Sequence, residues 1–192
     1  TFWGVRGSYP VPGAATVRYG GQTSCVELRT DAGGCLIVDA GTGMRALGQK
    51  LSREGGVPRQ FHVLLSHVHW DHIQGLPFFA PLYCPGTRVH VVSGANGTPT
   101  REVLRRQMSA PTFPVDLSDV PAALSYLEVR DRQRFVVGDA EVTAVRANHP
   151  DGVYAYRIEH RGQAIVYATD TEHYRCVDPR LAALARDADL LI

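Results

Sequence analysis

An α/β fold with two sheets covered by helices is what this 192-residue sequence predicts, on three observations. Apolar runs of strand length are joined by both turn signals and helical stretches, so hairpins and strand–helix units are mixed along the chain. Four of those runs end in a side chain that can bind a cation: Cys35-Leu36-Ile37-Val38 in Asp39, Val63-Leu64-Leu65-Ser66 in His67, Glu141 to Asn148 in His149, and Ala164 to Thr169 in Asp170. The hexapeptide H-V-H-W-D-H at 67–72 then sets His67, His69, Asp71 and His72 in a tight turn after a buried strand.

In order, strands are expected near 2–6, 25–29, 35–39 and 61–66, then 88–92, 126–129, 134–137, 141–147, 153–159, 164–169 and 190–192. Helices are expected near 43–53, 73–83, 100–108 and 178–186. Gly41-Thr42-Gly43 lacks the third glycine and following lysine of a phosphate loop, and reads as a tight turn that delivers Asp39 to a site. Gly55-Gly56 marks the end of the first helix. Arg101, Arg105 and Arg106 fall at helical spacing and read as one solvated face, while Arg130, Arg132 and Arg134 alternate as on an exposed strand. Asp178-Pro179 supplies an N-cap followed by proline in the first helical turn. Ser8 to Gly21 and Pro111 to Pro121 are long, Gly- or Pro-rich segments, either connectors or loops overhanging a site.

Composition excludes several classes. Apolar residues at 44% and charged residues at 20% are ordinary for a globular chain. No window approaches the length of apolar run that spans a bilayer. The net charge of +1 lacks the basic excess of extended nucleic-acid binders. Cys25, Cys35, Cys84 and Cys176 are irregularly spaced, three of them in or beside apolar runs, so buried free thiols in a reducing, cytoplasmic setting are expected.

The hexapeptide carries the chemistry. Imidazole and carboxylate donors at a loop suit Zn²⁺, Mn²⁺ or Fe, and the lack of neighbouring cysteine argues against a closed thiolate site. A polar surface loop would give the histidines no reason to crowd. His62, His90 and His160 have no ligand-type neighbours in sequence and read as structural or exposed. Trp70 either fills the loop or packs against a substrate. Tyr154 and Tyr156 read as core or surface residues, with one able to reach the cleft.

The order Asp39, H-V-H-W-D-H, His149, Asp170 resembles the metallo-β-lactamase-fold hydrolases over nearly the whole chain. Phe2 to Pro10, Y-G-G-Q-T-S-C at 19–25 and Ile73-Gln74-Gly75-Leu76-Pro77-Phe78 are similar to the branch holding cyclic phosphodiesterases and RNase Z. The resemblance implies a four-layer αββα sandwich of two mixed sheets flanked by helices. It implies two divalent metal ions, zinc foremost, with His67, His69 and His149 on the first, Asp71 and His72 on the second, and Asp170 bridging. Asp39 would hydrogen-bond a ligand histidine and fix its tautomer.

The family needs one more histidine after the bridging aspartate, and this sequence reaches Ile192 without it; His173, three residues past Asp170, is a weak substitute. Leu190-Leu191-Ile192 reads as the start of a strand and Thr1-Phe2-Trp3 begins inside one. The expectation is one metallo-hydrolase domain over 1–192 that lacks its extreme N-terminus and a C-terminal segment carrying that histidine.

The implied activity is hydrolysis of a small or cyclic phosphodiester by a metal-bound hydroxide, with Asp71 orienting the hydroxide or taking its proton. The expected partner is that small substrate, with no membrane and no extended nucleic acid, and a homodimer is left open. A thioesterase or lactam-type hydrolase, an RNase Z-like endoribonuclease and a metal-free binding domain are the competing readings.

Overall fold

The computed structural model describes residues 1–31, 33–53 and 60–192. The Gly55-Gly56 helix stop lies outside those residues. Eleven strands and four α-helices are found among the described residues. The strands are β1 (Phe2–Gly4), β2 (Cys25–Arg29), β3 (Cys35–Val38), β4 (Gln60–Leu65), β5 (Arg88–Gly94) and β6 (Ala123–Val129), then β7 (Arg134–Val137), β8 (Ala140–Ala147), β9 (Val153–His160), β10 (Gln163–Tyr167) and β11 (Leu190–Leu191). The helices are α1 (Gly43–Arg53), α2 (Trp70–Ile73), α3 (Thr100–Gln107) and α4 (Pro179–Ala185).

The first sheet runs β1-β2-β3-β4-β5-β6, antiparallel from β1 to β3 and parallel from β3 to β6. The second runs β11-β10-β9-β8-β7, antiparallel except for the parallel β10–β11 pair. Both sheets are therefore mixed.

The period-2 alternation of each strand sorts its side chains into layers. Ile37, Val63 and Leu65 pack with Met44, Leu47 and Leu51 of α1 and Leu104 of α3. Their neighbours Leu36, Val38 and Leu64 turn the other way, onto Val142, Ala144, Tyr154, Tyr156 and Ile158 of the second sheet. Val145, Ala155 and Val166 then meet Leu184 of α4. The result is helices, sheet, sheet, helix. Strands β3 and β4 are covered on both faces, which is why they read as near-continuous apolar runs.

Four expectations are corrected. The helix expected over 73–83 is instead α2 followed by two 3₁₀ turns, Leu76–Phe78 and Ala80–Tyr83. Pro77 and Pro81 each lack the N–H an α-helix would use and sit at the starts of those turns, where that donor is not needed. The first strand stops at Gly4, after which Val5 N and Arg6 N both turn to Gln22 O, outside the ladder with β2. Arg132 lies in a turn at positive φ, so Arg130, Arg132 and Arg134 flank a reversal rather than alternate along one strand. All four cysteines are free, but only Cys25 and Cys35 are buried; Cys84 and Cys176 are exposed. No helix among the described residues is long and apolar enough to cross a membrane.

Candidate metal centre

Four chain reversals at one edge of the sheets bring the candidate metal-ligating side chains together. The first follows β3. Asp39 takes a left-handed backbone (φ 60°), which a short polar side chain tolerates better than most. The chain then passes tightly beneath the hexapeptide, where Ala40 N donates to His72 O at 2.8 Å and Gly75 N to Ala40 O at 2.8 Å. A Cβ on Gly41 would stand 2.3 Å from the Asp71 carbonyl oxygen, so only glycine fits this crossing. The segment 19–25 is tied to the same turn, since Thr42 N donates to Thr23 Oγ1 and Thr23 N to Thr42 Oγ1, both at 2.8 Å. Asp170, after β10, repeats the left-handed conformation with φ 56°. Such conformations cost roughly 1–3 kcal/mol each and persist where the surroundings hold them.

Two groups of three donors result, each with its donor atoms within 4.8 Å of one another: His67, His69 and His149, and His67, His72 and Asp170. His67 belongs to both. His149 Nε2 and His69 Nδ1 are 3.1 Å apart. Two nitrogens at ~2.0–2.1 Å from one tetrahedral zinc stand roughly 3.3 Å apart, so this spacing suits a shared cation. Asp170 Oδ2 faces both groups, 3.1 Å from His72 Nε2, 3.6 Å from His67 Nε2 and 3.9 Å from His149 Nε2. Asp71 is in neither group, but its Oδ2 lies 3.4 Å from His72 Nε2 and accepts the Ser8 backbone N–H at 2.8 Å. The Ser8–Gly21 segment thus touches the site at its first residue. His173 is exposed and belongs to neither group.

The buried carboxylate of Asp39 lies behind this cluster. It accepts His72 Nδ1–H at 2.7 Å, the Tyr167 hydroxyl at 2.7 Å, and Ser66 through its backbone N–H at 2.8 Å and its hydroxyl at 2.9 Å. With Nδ1 engaged, His72 presents Nε2 to the cluster. Sequence reasoning missed Ser66 and Tyr167. Ser66 was legible only as the last residue before the hexapeptide, and Tyr167 only as an alternating position on β10.

Electrostatics divide the imidazoles. Burial and the repulsion of His72 push His67 down to about 4, so it is neutral at pH 7. Burial acts against the charge of His72 too, but Asp39, Asp170 and Asp71 overcome it and hold the ring at about 10. The hydrogen bond from His72 keeps Asp170 well below the usual carboxylate range. Whether the cluster fits a cation is tested by its unsatisfied atoms. His67 Nε2, 3.6 Å from Asp170 Oδ2, is buried with no hydrogen-bond partner among the described residues. Buried polar nitrogens are rarely left so, and a neutral imidazole turned on other donors is a metal ligand in waiting. The residues fit.

Other sequence expectations sort simply. Tyr154 and Tyr156 are both buried between the sheets, and the Tyr156 hydroxyl donates to Leu65 O at 2.7 Å, so neither reaches the site. His62 stacks on His90 with ring centroids 5.0 Å apart, and His160 pairs with Asp139 at 3.0 Å. Trp70 does not fill the loop, for 73% of it is exposed.

Comparison with known proteins is consistent with this geometry. A ribonuclease Z of Haloarcula marismortui is 26% identical over 154 residues, covering 78% of this chain. The chain spans 43% of that relative's length. The solved structure of YhfI from Bacillus subtilis, described as a metallo-β-lactamase fold protein, superposes with a TM-score of 0.69 at 20% identity, over 100% of this chain and 68% of that one. A diphosphatase of the PhnP family gives 0.71 at 19% identity, over 100% and 71%. Residues 35–192 match the model of the Beta-lactamase superfamily domain. The chain belongs to the β-lactamase superfamily, and its αββα sandwich is the metallo-β-lactamase fold.

Proposed function

We propose that this protein is a metal-dependent hydrolase that cleaves a small phosphodiester. One observation carries the reading: a single carboxylate oxygen, Asp170 Oδ2, faces nitrogens of both donor groups, as a ligand shared between two cations would. In this reading His67, His69 and His149 would hold one cation, Asp71 and His72 would hold the other, and Asp170 would serve both. Zinc is the cation this histidine-rich donor set favours, with manganese or iron as alternatives. A bound pair of divalent cations supplies Lewis acidity and makes water acidic enough to attack at neutral pH.

The chain's own side chains do the rest. Asp39 holds the Nδ1 proton of His72 and so keeps Nε2 turned to the cluster. Asp71, fixed through Oδ2 by the Ser8 N–H, keeps its carboxylate at the site, where it orients attacking water and takes its proton. The choice of phosphodiester is supported by the names of the relatives, a ribonuclease Z and a diphosphatase. A net charge of +1 favours a small substrate over long RNA.

The test is turnover of bis(p-nitrophenyl) phosphate by the metal-loaded, full-length protein beside nitrocefin and a glutathione thioester. Phosphodiester cleavage that His69→Ala and Asp170→Ala each abolish is expected, with no lactam hydrolysis. Robust thioester or lactam turnover with an inert phosphodiester would refute the proposal.

A further inference from the structure

We infer that Glu172 is a positioning residue for the metal centre: its carboxylate accepts a hydrogen bond from His149 Nδ1–H and so commits Nε2 of that ring to a cation. The inference rests on the assignment of His149 to a cation above, and not on the choice of a phosphodiester.

The two nitrogens of His149 face different surroundings. Nε2 looks into the donor cluster, 3.1 Å from His69 Nδ1 and 3.9 Å from Asp170 Oδ2. Nδ1 looks the other way, with Glu172 Oε1 at 3.8 Å. That nitrogen is buried and has no hydrogen-bond partner among the described residues. Buried polar atoms are rarely left so, and 3.8 Å is longer than a hydrogen bond.

Glu172 is placed to close that gap. Its backbone N–H donates to Asn148 O at 2.8 Å, which ties it to the residue before His149. One short segment therefore sets a carboxylate on each side of the imidazole, Asp170 toward Nε2 and Glu172 toward Nδ1. With its main chain held, Glu172 covers the remaining distance by rotation about side-chain bonds alone. It has no other ion-pair partner among the described residues, so no second cationic group competes for it.

The arrangement repeats the one at His72, which gives Nδ1 to Asp39 at 2.7 Å and turns Nε2 on Asp170 at 3.1 Å. Each ring then has a carboxylate behind it and the same Asp170 oxygen in front. A carboxylate in that place fixes the tautomer and makes the opposite nitrogen a stronger ligand. His69 does not share the pattern. Asp151 stands 3.9 Å from its Nε2 but is 93% exposed, and that nitrogen is not left buried and unpaired.

The test uses the zinc-loaded, full-length protein with isotope-labelled histidine and long-range proton–nitrogen NMR, which reads each ring nitrogen separately. His149→Ala assigns the signals. In the wild type His149 should carry zinc on Nε2 and a slowly exchanging proton on Nδ1. Glu172→Ala should hasten that exchange and weaken zinc by roughly tenfold or more in competition with a chromophoric chelator. Glu172→Gln keeps an acceptor oxygen and should restore part of both. Exchange or affinity that Glu172→Ala leaves unchanged would overturn the inference, as would a glutamine variant no better than alanine, since charge alone would then be at work. Zinc on Nδ1 of His149 would also overturn it, and the wild type gives that result whether or not any variant folds. His149 signals that ignore zinc would refute the cation assignment and take this inference with it. Phosphodiester turnover plays no part in the readout, so its failure would leave Glu172 untouched.

Discussion

Asp39 Oδ2 lies 2.7 Å from His72 Nδ1, and both side chains are withdrawn from solvent. The residues are 33 positions apart, and the pair forms where β3 and the hexapeptide turn cross. One proton is thereby held on Nδ1, and the other ring nitrogen is committed to the cluster. Asp39→Asn should retain the fold but lower cation affinity by roughly 10–100-fold, because an amide holds that proton less firmly. Competition against a chromophoric chelator measures it. Unchanged affinity would show that the contact supports the fold alone.

Tyr167 shares the same carboxylate oxygen. Tyr167→Phe removes one of several donors to Asp39 and leaves the histidine contact in place. The expected outcome is a stability loss of ~1–3 kcal/mol in chemical unfolding, for a buried hydrogen bond, with a smaller effect on cation affinity than Asp39→Asn. A larger effect on affinity than that variant has would mean that the tyrosine, rather than the aspartate, governs how the ring is held.

Cation binding should depend on pH with a defined sign. In the cation-free protein His72 titrates at about 10, so it carries its extra proton throughout the neutral range, whereas His67, at about 4, carries none. A cation binding at His72 Nε2 must displace that proton. Affinity should therefore rise with pH between about pH 6 and 8, by about tenfold per unit for one proton, and fall as pH is lowered. Calorimetry in buffers of different ionisation enthalpy should register at least one proton released; no buffer dependence would contradict it.

Gly41→Ala tests the crossing beneath the hexapeptide. The added methyl meets the Asp71 carbonyl oxygen at 2.3 Å and the Ser24 carbonyl oxygen at 2.6 Å, both of them backbone. Relief requires the turn to move, at a cost of ~1–3 kcal/mol or more. Calorimetric Tm should drop by roughly 2–4 °C per kcal/mol in a chain of this size, together with a loss of cation affinity. A variant with wild-type Tm and affinity would mean that the crossing is slack.

The thiols provide a check independent of the site. Burial pushes the Cys35 thiol up to about 11 and that of Cys25 higher than usual as well. Cys84 and Cys176 are exposed. A maleimide should modify Cys84 and Cys176 in the native protein at neutral pH and all four only after unfolding, as read by peptide mass. Native labelling of Cys25 or Cys35 would mean that the sheet opens readily.

Which residues are candidates for binding a cation was legible in the sequence, because such side chains follow apolar strand runs and crowd within 67–72. A strand's period and its terminating residue are local properties, and so are the Asp178-Pro179 start of α4 and the tight Gly41-Thr42-Gly43 turn. The two-layer sorting of Ile37 from Leu36 follows from that same local alternation. Tertiary structure decided what depends on distance through space. It put His67 in both donor groups, turned Asp170 Oδ2 toward each, and placed Ser66 and Tyr167 on Asp39, since hydroxyls on distant strands carry no sign of the carboxylate they will meet. It broke the expected 73–83 helix at Pro77 and Pro81, where two prolines override an apolar pattern. It also left Trp70 in solvent, because whether a side chain in a turn packs inward depends on neighbours that only the folded chain supplies.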